Sequence, residues 1–376
     1  MGTSFSGEIP ASIGSLGFLT QLNLKDCNFS GSIPSSLGNL SKLTSLDLSS
    51  NSFVGSILSS LGNLSKLIDL YLSSNSFVGP IPSALRNLAQ LNILSVPDNR
   101  LTGPIPFRLA NFPQLALVDL SYNLLSGEMH FGLMNNTQLT SLRLRCNQLT
   151  GTLSTFELMN FTKLVALDLR ANKFYGQISN SLFNLKNLEF LDLSDNHLIG
   201  IVDFDKFVKL KELITLHISG NQLSLFSEET SANATLPKFL ALGFSSCNLS
   251  EFPNFLKHPH ELEYLNLSNN KIHGQVPKWM WNTNNTVLQV LDLRSNFLQG
   301  SLPIPPVSTF LFYISNNLLT GNIPESFCNL TSLQVLDLAN NNLSGSLPRC
   351  FDNFGASLLV LDLQRTNFEE AFQKLG

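Results

Sequence analysis

The segment Leu43-Thr-Ser-Leu46-Asp-Leu48-Ser-Ser-Asn51 returns as Leu67 to Asn75, Leu91 to Asn99 and Leu115 to Asn123, each time 24 residues further on. No other feature constrains the fold as much. One unit of this length cannot bury its apolar face alone, so neighbours must stack to build a continuous core. Marking the second apolar position of every L-x-x-L-x-L core gives fifteen registers: Leu22, Leu46, Leu70, Leu94, Val118, Leu142, Leu167, Leu191, Leu216, Leu242, Leu265, Leu291, Phe312, Leu336 and Leu361. Intervals are 24 through the first six and 21 to 26 afterwards. A partial unit, Phe5-Ser-Gly7-Glu-Ile9-Pro10, precedes them. The spacing predicts a single solenoid over 1–376, with a partial repeat at 1–18, fifteen repeat registers over 19–376 and an irregular stretch at 200–237.

Each unit follows from its pattern. In x-L-x-L-x the period is two, so the leucines point to one face and the x residues to the other. Stacked units then form a parallel sheet whose x residues alone are free to contact a partner. The Asn five positions past each marked residue turns inward, where its amide can satisfy backbone groups of the turning chain, including those of the next repeat. The following Leu/Phe-x-Gly-x-Ile-Pro lets the backbone approach closely at Gly and stops strand pairing at Pro. Short helical turns such as Ser35-Ser-Leu37-Gly-Asn-Leu40 close the unit. Gly-x-Ile-Pro is missing after Leu198 and Leu223, and the polar run Ser224 to Thr235 is expected to bulge outward as a loop.

Composition narrows the function. Seventy-four of 376 residues are Leu, charged residues are only 13%, and net charge is −4, which excludes a general nucleic-acid footprint. No run of 18 apolar residues exists, so no membrane span is expected, and the N-terminus lacks the features of a signal peptide. Enzyme motifs such as G-x-S-x-G, H-E-x-x-H and the phosphate loop are absent, so the chain reads as a non-enzyme without cofactor or metal. His258-Pro-His260 is a close His pair with no neighbouring Cys, and reads as a surface turn.

On the inner strands, the column after the marked residue is usually Asp, and the column two further on is usually Ser. Departures from these defaults carry the information: Tyr71, Arg143, His217 and Tyr313 in the first, and Lys25, Pro97, Arg145, Arg170 and Arg294 in the second. Arg143, Arg145 and Arg170 fall on two adjacent strands beside Asp168 and Asp192, with Tyr71, Tyr122, Phe190 and His217 flanking them. This cluster is either internally neutralised or an anion contact. Eleven N-x-S/T sequons mark candidate glycosylation sites: Asn28, Asn39, Asn63, Asn135, Asn160, Asn233, Asn248, Asn266, Asn284, Asn329 and Asn342. A glycan on Asn266, between Leu265 and Leu267, would block the inner face. Cys27 and Cys247 occupy the inward Asn column and are expected to be buried thiols.

The full pattern, L-x-x-L-x-L-x-x-N-x-L-x-G-x-I-P-x-x-L-x-x-L, resembles the plant-type extracellular leucine-rich repeat. Cys247-Asn-Leu-Ser-Glu-Phe-Pro253, Lys278-Trp-Met-Trp281, Phe327-Cys328-Asn-Leu330 and Leu347-Pro-Arg-Cys350 resemble receptor-like proteins of the tomato Cf-type immune class. The resemblance implies an α/β repeat fold: a right-handed solenoid with a parallel concave β-sheet. It further implies the ligand-recognition ectodomain of a cell-surface receptor on the extracellular side of the plasma membrane, with peptide or protein ligands and pairing with co-receptor kinases. Lacking the family's cysteine-paired cap, island, spacer and anchor, the sequence reads as an internal fragment of such an ectodomain. If it is secreted, Cys328 and Cys350, on the convex side of consecutive units, are placed to form a disulfide. Arg143-Leu-Arg145 resembles the Arg-x-Arg pair with which some plant peptide-hormone receptor kinases hold a peptide's C-terminal carboxylate. A secreted enzyme inhibitor, a cytoplasmic scaffold and a receptor kinase ectodomain are the alternatives.

Overall fold

The computed structural model describes residues 6–106, 112–129, 137–153, 161–226, 236–257, 261–282, 287–348, 351 and 357–368. The chain divides into two compact units, Met1–Leu198 and Ile199–Gly376. The division falls at the edge of the stretch where the sequence loses its Gly-x-Ile-Pro.

In the first unit, eight three-residue inner strands pair in parallel, from Gln21–Asn23 through Ser45–Asp47, Asp69–Tyr71, Ile93–Ser95, Leu117–Asp119, Ser141–Arg143 and Ala166–Asp168 to Phe190–Asp192. The marked residues face one another across every step: Leu22, Leu46, Leu70, Leu94, Val118, Leu142, Leu167 and Leu191. From Leu46 onward these side chains are at most 2% exposed, which makes them the core.

Four residues past each marked position the backbone turns left-handed. Ser50, Ser74, Asp98, Tyr122, Cys146, Ala171 and Asp195 have φ from 50° to 56°. This turn takes the chain off the inner sheet and presents the next residue, Asn, to the interior. Asn99 illustrates the result. Its Oδ1 accepts from the Phe77 N–H at 3.0 Å, and its Nδ2 donates to the Leu72 carbonyl at 3.0 Å. Both partners belong to the preceding repeat, not to the following one as the sequence suggests. The amide therefore staples each turn to the one before it.

A second parallel sheet, which the leucine pattern does not announce, forms on the other side of the first unit. Its strands are Ser30–Gly31, Ser52–Gly55, Ser76–Pro80, Arg100–Gly103, Leu124–Glu128, Gln148–Thr152 and Lys173–Gly176. The Ile-Pro step then ends pairing, and Pro34 and Pro82 start the 3-10 turns Ser35–Asn39 and Ser83–Asn87. Gly38 must lack a side chain: a Cβ there would collide with the Ser60 carbonyl of the next turn.

The second unit repeats the architecture. Seven inner strands, Thr215–His217, Ala241–Gly243, Tyr264–Asn266, Val290–Asp292, Leu311–Tyr313, Val335–Asp337 and Val360–Asp362, pair in parallel, with Leu216, Leu242, Leu265, Leu291, Phe312, Leu336 and Leu361 in register. Both units are thus leucine-rich-repeat solenoid with a parallel inner sheet. Among the described residues the irregular stretch carries regular structure, and the first residues of the polar run, 224–226, end the strand Gln222–Phe226. A one-turn α-helix, Phe204–Phe207, buries both phenylalanines, and the Phe204 ring stacks on Phe255 with centroids 3.6 Å apart. Residues 227–235 of the polar run lie outside the described residues. Cys247 is buried in the Asn column as expected, and burial pushes its thiol up to about 12. Cys27, by contrast, is only half-buried.

Candidate ligand-binding face

The inner face of the first unit is a ladder of side chains one strand apart. Across the column after the marked residue, Asp47, Tyr71, Ser95, Asp119, Arg143, Asp168 and Asp192 lie side by side in register. Arg143 is therefore directly flanked by Asp119 and Asp168. It is exposed and makes no ion pair among the described residues.

Arg145 leans toward both neighbours. Its guanidinium lies 4.8 Å over the Tyr122 ring, and its Nε is 3.8 Å from Asp168 Oδ2. Strict alternation would turn Tyr122 inward; the left-handed turn at φ 52° leaves it 48% exposed, beneath Arg145. Arg170 pairs with Asp195 at 3.2 Å rather than with Asp192, while its backbone N–H donates to Asp168 Oδ1. Asp192 is buried and accepts from the Ser194 N–H and hydroxyl.

Asp168 is the anomalous group. It is 4% exposed, and its carboxyl is pushed up to about 6 by burial, then by the Asp192 charge; the Arg170 N–H, Arg145 and Arg143 pull the other way. Further along the ladder, burial followed by the charges of Asp69 and Asp47 raises the Tyr71 phenol. Two features escaped the sequence reading. The hydroxyls of Ser121, two residues past Asp119 on the neighbouring strand, and Ser141, two residues before Arg143, are buried and make no hydrogen bond among the described residues.

The structure thus brings Tyr122, Arg143, Arg145 and Arg170 together. Tyr71 stands three strands from Arg143, about 14 Å at normal strand spacing. Phe190 lies beside Ala166, in the row containing Ser141. His217 belongs to the second unit. There its ring stacks on Tyr264 with centroids 5.3 Å apart and lies over Gly243, where a Cβ would come within 3.2 Å of it. The second unit also holds Arg294, but its fork is filled by Asp292 at 2.7 and 3.0 Å, and it lies 4.6 Å over Tyr313.

Asn28, Asn39, Asn63, Asn248, Asn329 and Asn342 are exposed. Asn135, Asn160, Asn233 and Asn284 lie outside the described residues, as do His258 and His260. Asn266 is half-buried on its inner strand, accepting from the Ser268 N–H and donating to the Tyr264 hydroxyl. Cys328 is disulfide-bonded, and its expected partner Cys350 lies outside the described residues. Among the described residues no helix is long and apolar enough to cross a membrane.

The Leucine Rich Repeat family profile matches residues 18–40, 42–64, 66–88, 187–207, 261–283, 311–330 and 332–354. Receptor like protein 27 of Arabidopsis thaliana is 43% identical over 170 residues, covering 39% of this chain and 21% of that protein. The chain thus spans about a fifth of that relative's length. Among solved structures, the plant peptide hormone receptor RGFR1 in complex with RGF2 is 30% identical with a TM-score of 0.73, covering 96% of this chain and 61% of that one. The Arabidopsis receptor kinase HAESA, in complex with the peptide hormone IDA and the co-receptor SERK1, is 28% identical with a TM-score of 0.65, covering 96% and 65%.

Proposed function

We propose that this chain belongs with the leucine-rich-repeat receptor-like proteins of plants and is a ligand-recognition ectodomain at the plasma membrane's outer side. It binds a peptide or protein ligand on the inner face of its first unit, in immune or developmental signalling together with co-receptor kinases. Its role is recognition rather than catalysis.

One observation carries the reading: Arg143 and Arg145 are exposed together on an inner face, Arg143 without an ion pair among the described residues and Arg145 with a single carboxylate contact at 3.8 Å. An exposed guanidinium that no carboxylate holds closely keeps N–H donors open, so a face of this kind favours a ligand that supplies acceptors. Paired guanidinium groups fit a carboxylate, and Tyr and Arg are the usual anchors of interfaces. The ligand accordingly presents an acidic group, in the simplest case its own C-terminus. The peptide-hormone complexes of RGFR1 and HAESA support a peptide as the ligand class.

The test uses the immobilised chain and randomised decapeptides made with free or amidated C-termini. Preferential retention of free-carboxylate peptides, lost at high salt, is expected. Equal retention of both pools would refute the carboxylate reading.

A further inference from the structure

We propose that Asp168 is an internal stand-in for the ligand's carboxylate: it holds Arg145 in the free chain, yields it on binding, and so makes recognition tighter in mildly acidic surroundings than in neutral ones. The proposal rests on the carboxylate reading above and deepens it.

The geometry of the two Arg–Asp–Tyr sets supports this. In the second unit Asp292 and Arg294 sit two residues apart in one repeat, at and just past the end of the same strand, and the fork closes at 2.7 and 3.0 Å. In the first unit Arg145 and Asp168 come from adjacent strands, and the single contact is 3.8 Å. That is well beyond the roughly 2.7–2.9 Å of a charge-assisted hydrogen bond. Asp168 therefore orients Arg145 without saturating it. The guanidinium is also held from its other face by the Tyr122 ring, so it is pre-set where a second carboxylate could take its free N–H groups.

Once that carboxylate arrives, two acids share one site, and one of them is driven to hold a proton. A peptide's α-carboxyl has an ordinary pKa of about 3.3–3.7 and, paired with arginines, stays ionised. Asp168 already stands at about 6 through burial and the neighbouring Asp192 charge. The proton goes to Asp168. No bond other than the O–H forms, and the proton comes from solvent.

The surrounding charges leave this assignment intact. From the strand on one side, Arg143 faces Asp168 directly, with Asp119 beyond it. From the other side come Asp192, which is hydrogen-bonded to Ser194, and Asp195, which is paired with Arg170. On its own strand the Arg170 N–H donates to Asp168 Oδ1.

The experiment measures retention of the free-terminus decapeptides relative to the amidated ones, by the full chain and by D168N, at pH 7.5 and pH 5.5. Asn keeps the acceptor that the Arg170 N–H uses. For the unaltered chain the ratio should rise roughly fivefold on acidification, the scale expected from removing one neighbouring like charge. D168N should show the higher ratio at both pH values. A flat or falling ratio in the unaltered chain, or an undiminished rise in D168N, overturns the proposal. Retention blind to the C-terminus at both pH values defeats the carboxylate reading itself, and this proposal with it. Should D168N fail to fold, the Asp168 carboxyl is titrated directly by carbon NMR in the unaltered chain. A midpoint above pH 5 is expected, and one below pH 4.5 overturns the proposal.

Discussion

Asn99 and Arg143 occupy opposite faces of the same construction, and their substitutions should fail differently. Asn99 is 9% exposed, and its amide satisfies backbone groups of the preceding repeat. Asn99→Ala leaves the Phe77 N–H unpaired and should cost about 1–3 kcal/mol, measured by urea unfolding. Charge reversal at Arg143 and Arg145 together should leave the unfolding midpoint nearly unchanged, since neither makes a close ion pair, yet lower retention of free-carboxylate peptides by tenfold or more, on the order expected for interface anchors. Retention that survives reversal would make these arginines ordinary surface charge. The residue-level site was partly legible. Arg143, Arg145 and Arg170 stood out because they break an Asp/Ser default. Ser121 could not, because Ser is the default of its column, and Ser141 could not, because only burial makes its hydroxyl unusual. Asp195, which captures Arg170, sits at a left-handed turn outside the alternation used to read the face.

Single strands and turns carry two further expectations. Gly38 packs against the Ser60 carbonyl of the next turn, so Gly38→Ala should lower the melting temperature, whereas the same change at Gly17, which has nothing within 4 Å, should not. A calorimetric comparison of the two variants checks this. Asp168 makes stability depend on pH with a definite sign. Its folded value lies above that of an ordinary aspartate, so between the two values the folded chain holds a proton that the unfolded chain releases. The stability contribution of this group is therefore fully present below about pH 4, is lost as pH rises to about 6, and is level beyond. D168N should flatten that part of the stability–pH curve; an unchanged slope would place the effect elsewhere. The inner strands were readable because leucine alternation is a burial signal. The second sheet was not: its short strands follow from the left-handed turn and from Gly backbone geometry, which no hydrophobic period encodes.

For the molecule as a whole, the fifteen marked residues all land on inner strands, eight in the first unit and seven in the second. Register survived intervals as short as 21 and as long as 26, because insertions fall outside the L-x-L core. What the repeat could not foretell was the helical turn Phe204–Phe207 inside the irregular stretch, since Phe204 and Phe255 meet only in three dimensions. Exposure also sorts the sequons. Secreted from plant cells, the chain should carry glycans at Asn39, Asn63 and Asn329 but none at Asn266, whose amide is half-buried and hydrogen-bonded. Glycopeptide mass mapping decides this, and an occupied Asn266 would contradict an open inner face in the second unit. The central claim is that the first unit reads its ligand on the inner ladder around Arg143. The most direct measurement places a photo-crosslinking residue at Ser95, on that ladder, or at Asn87, on the exposed 3-10 turn behind it, and maps adducts with retained free-carboxylate peptides. Adducts from position 95 and not from 87 are predicted; adducts from position 87 alone would contradict the account.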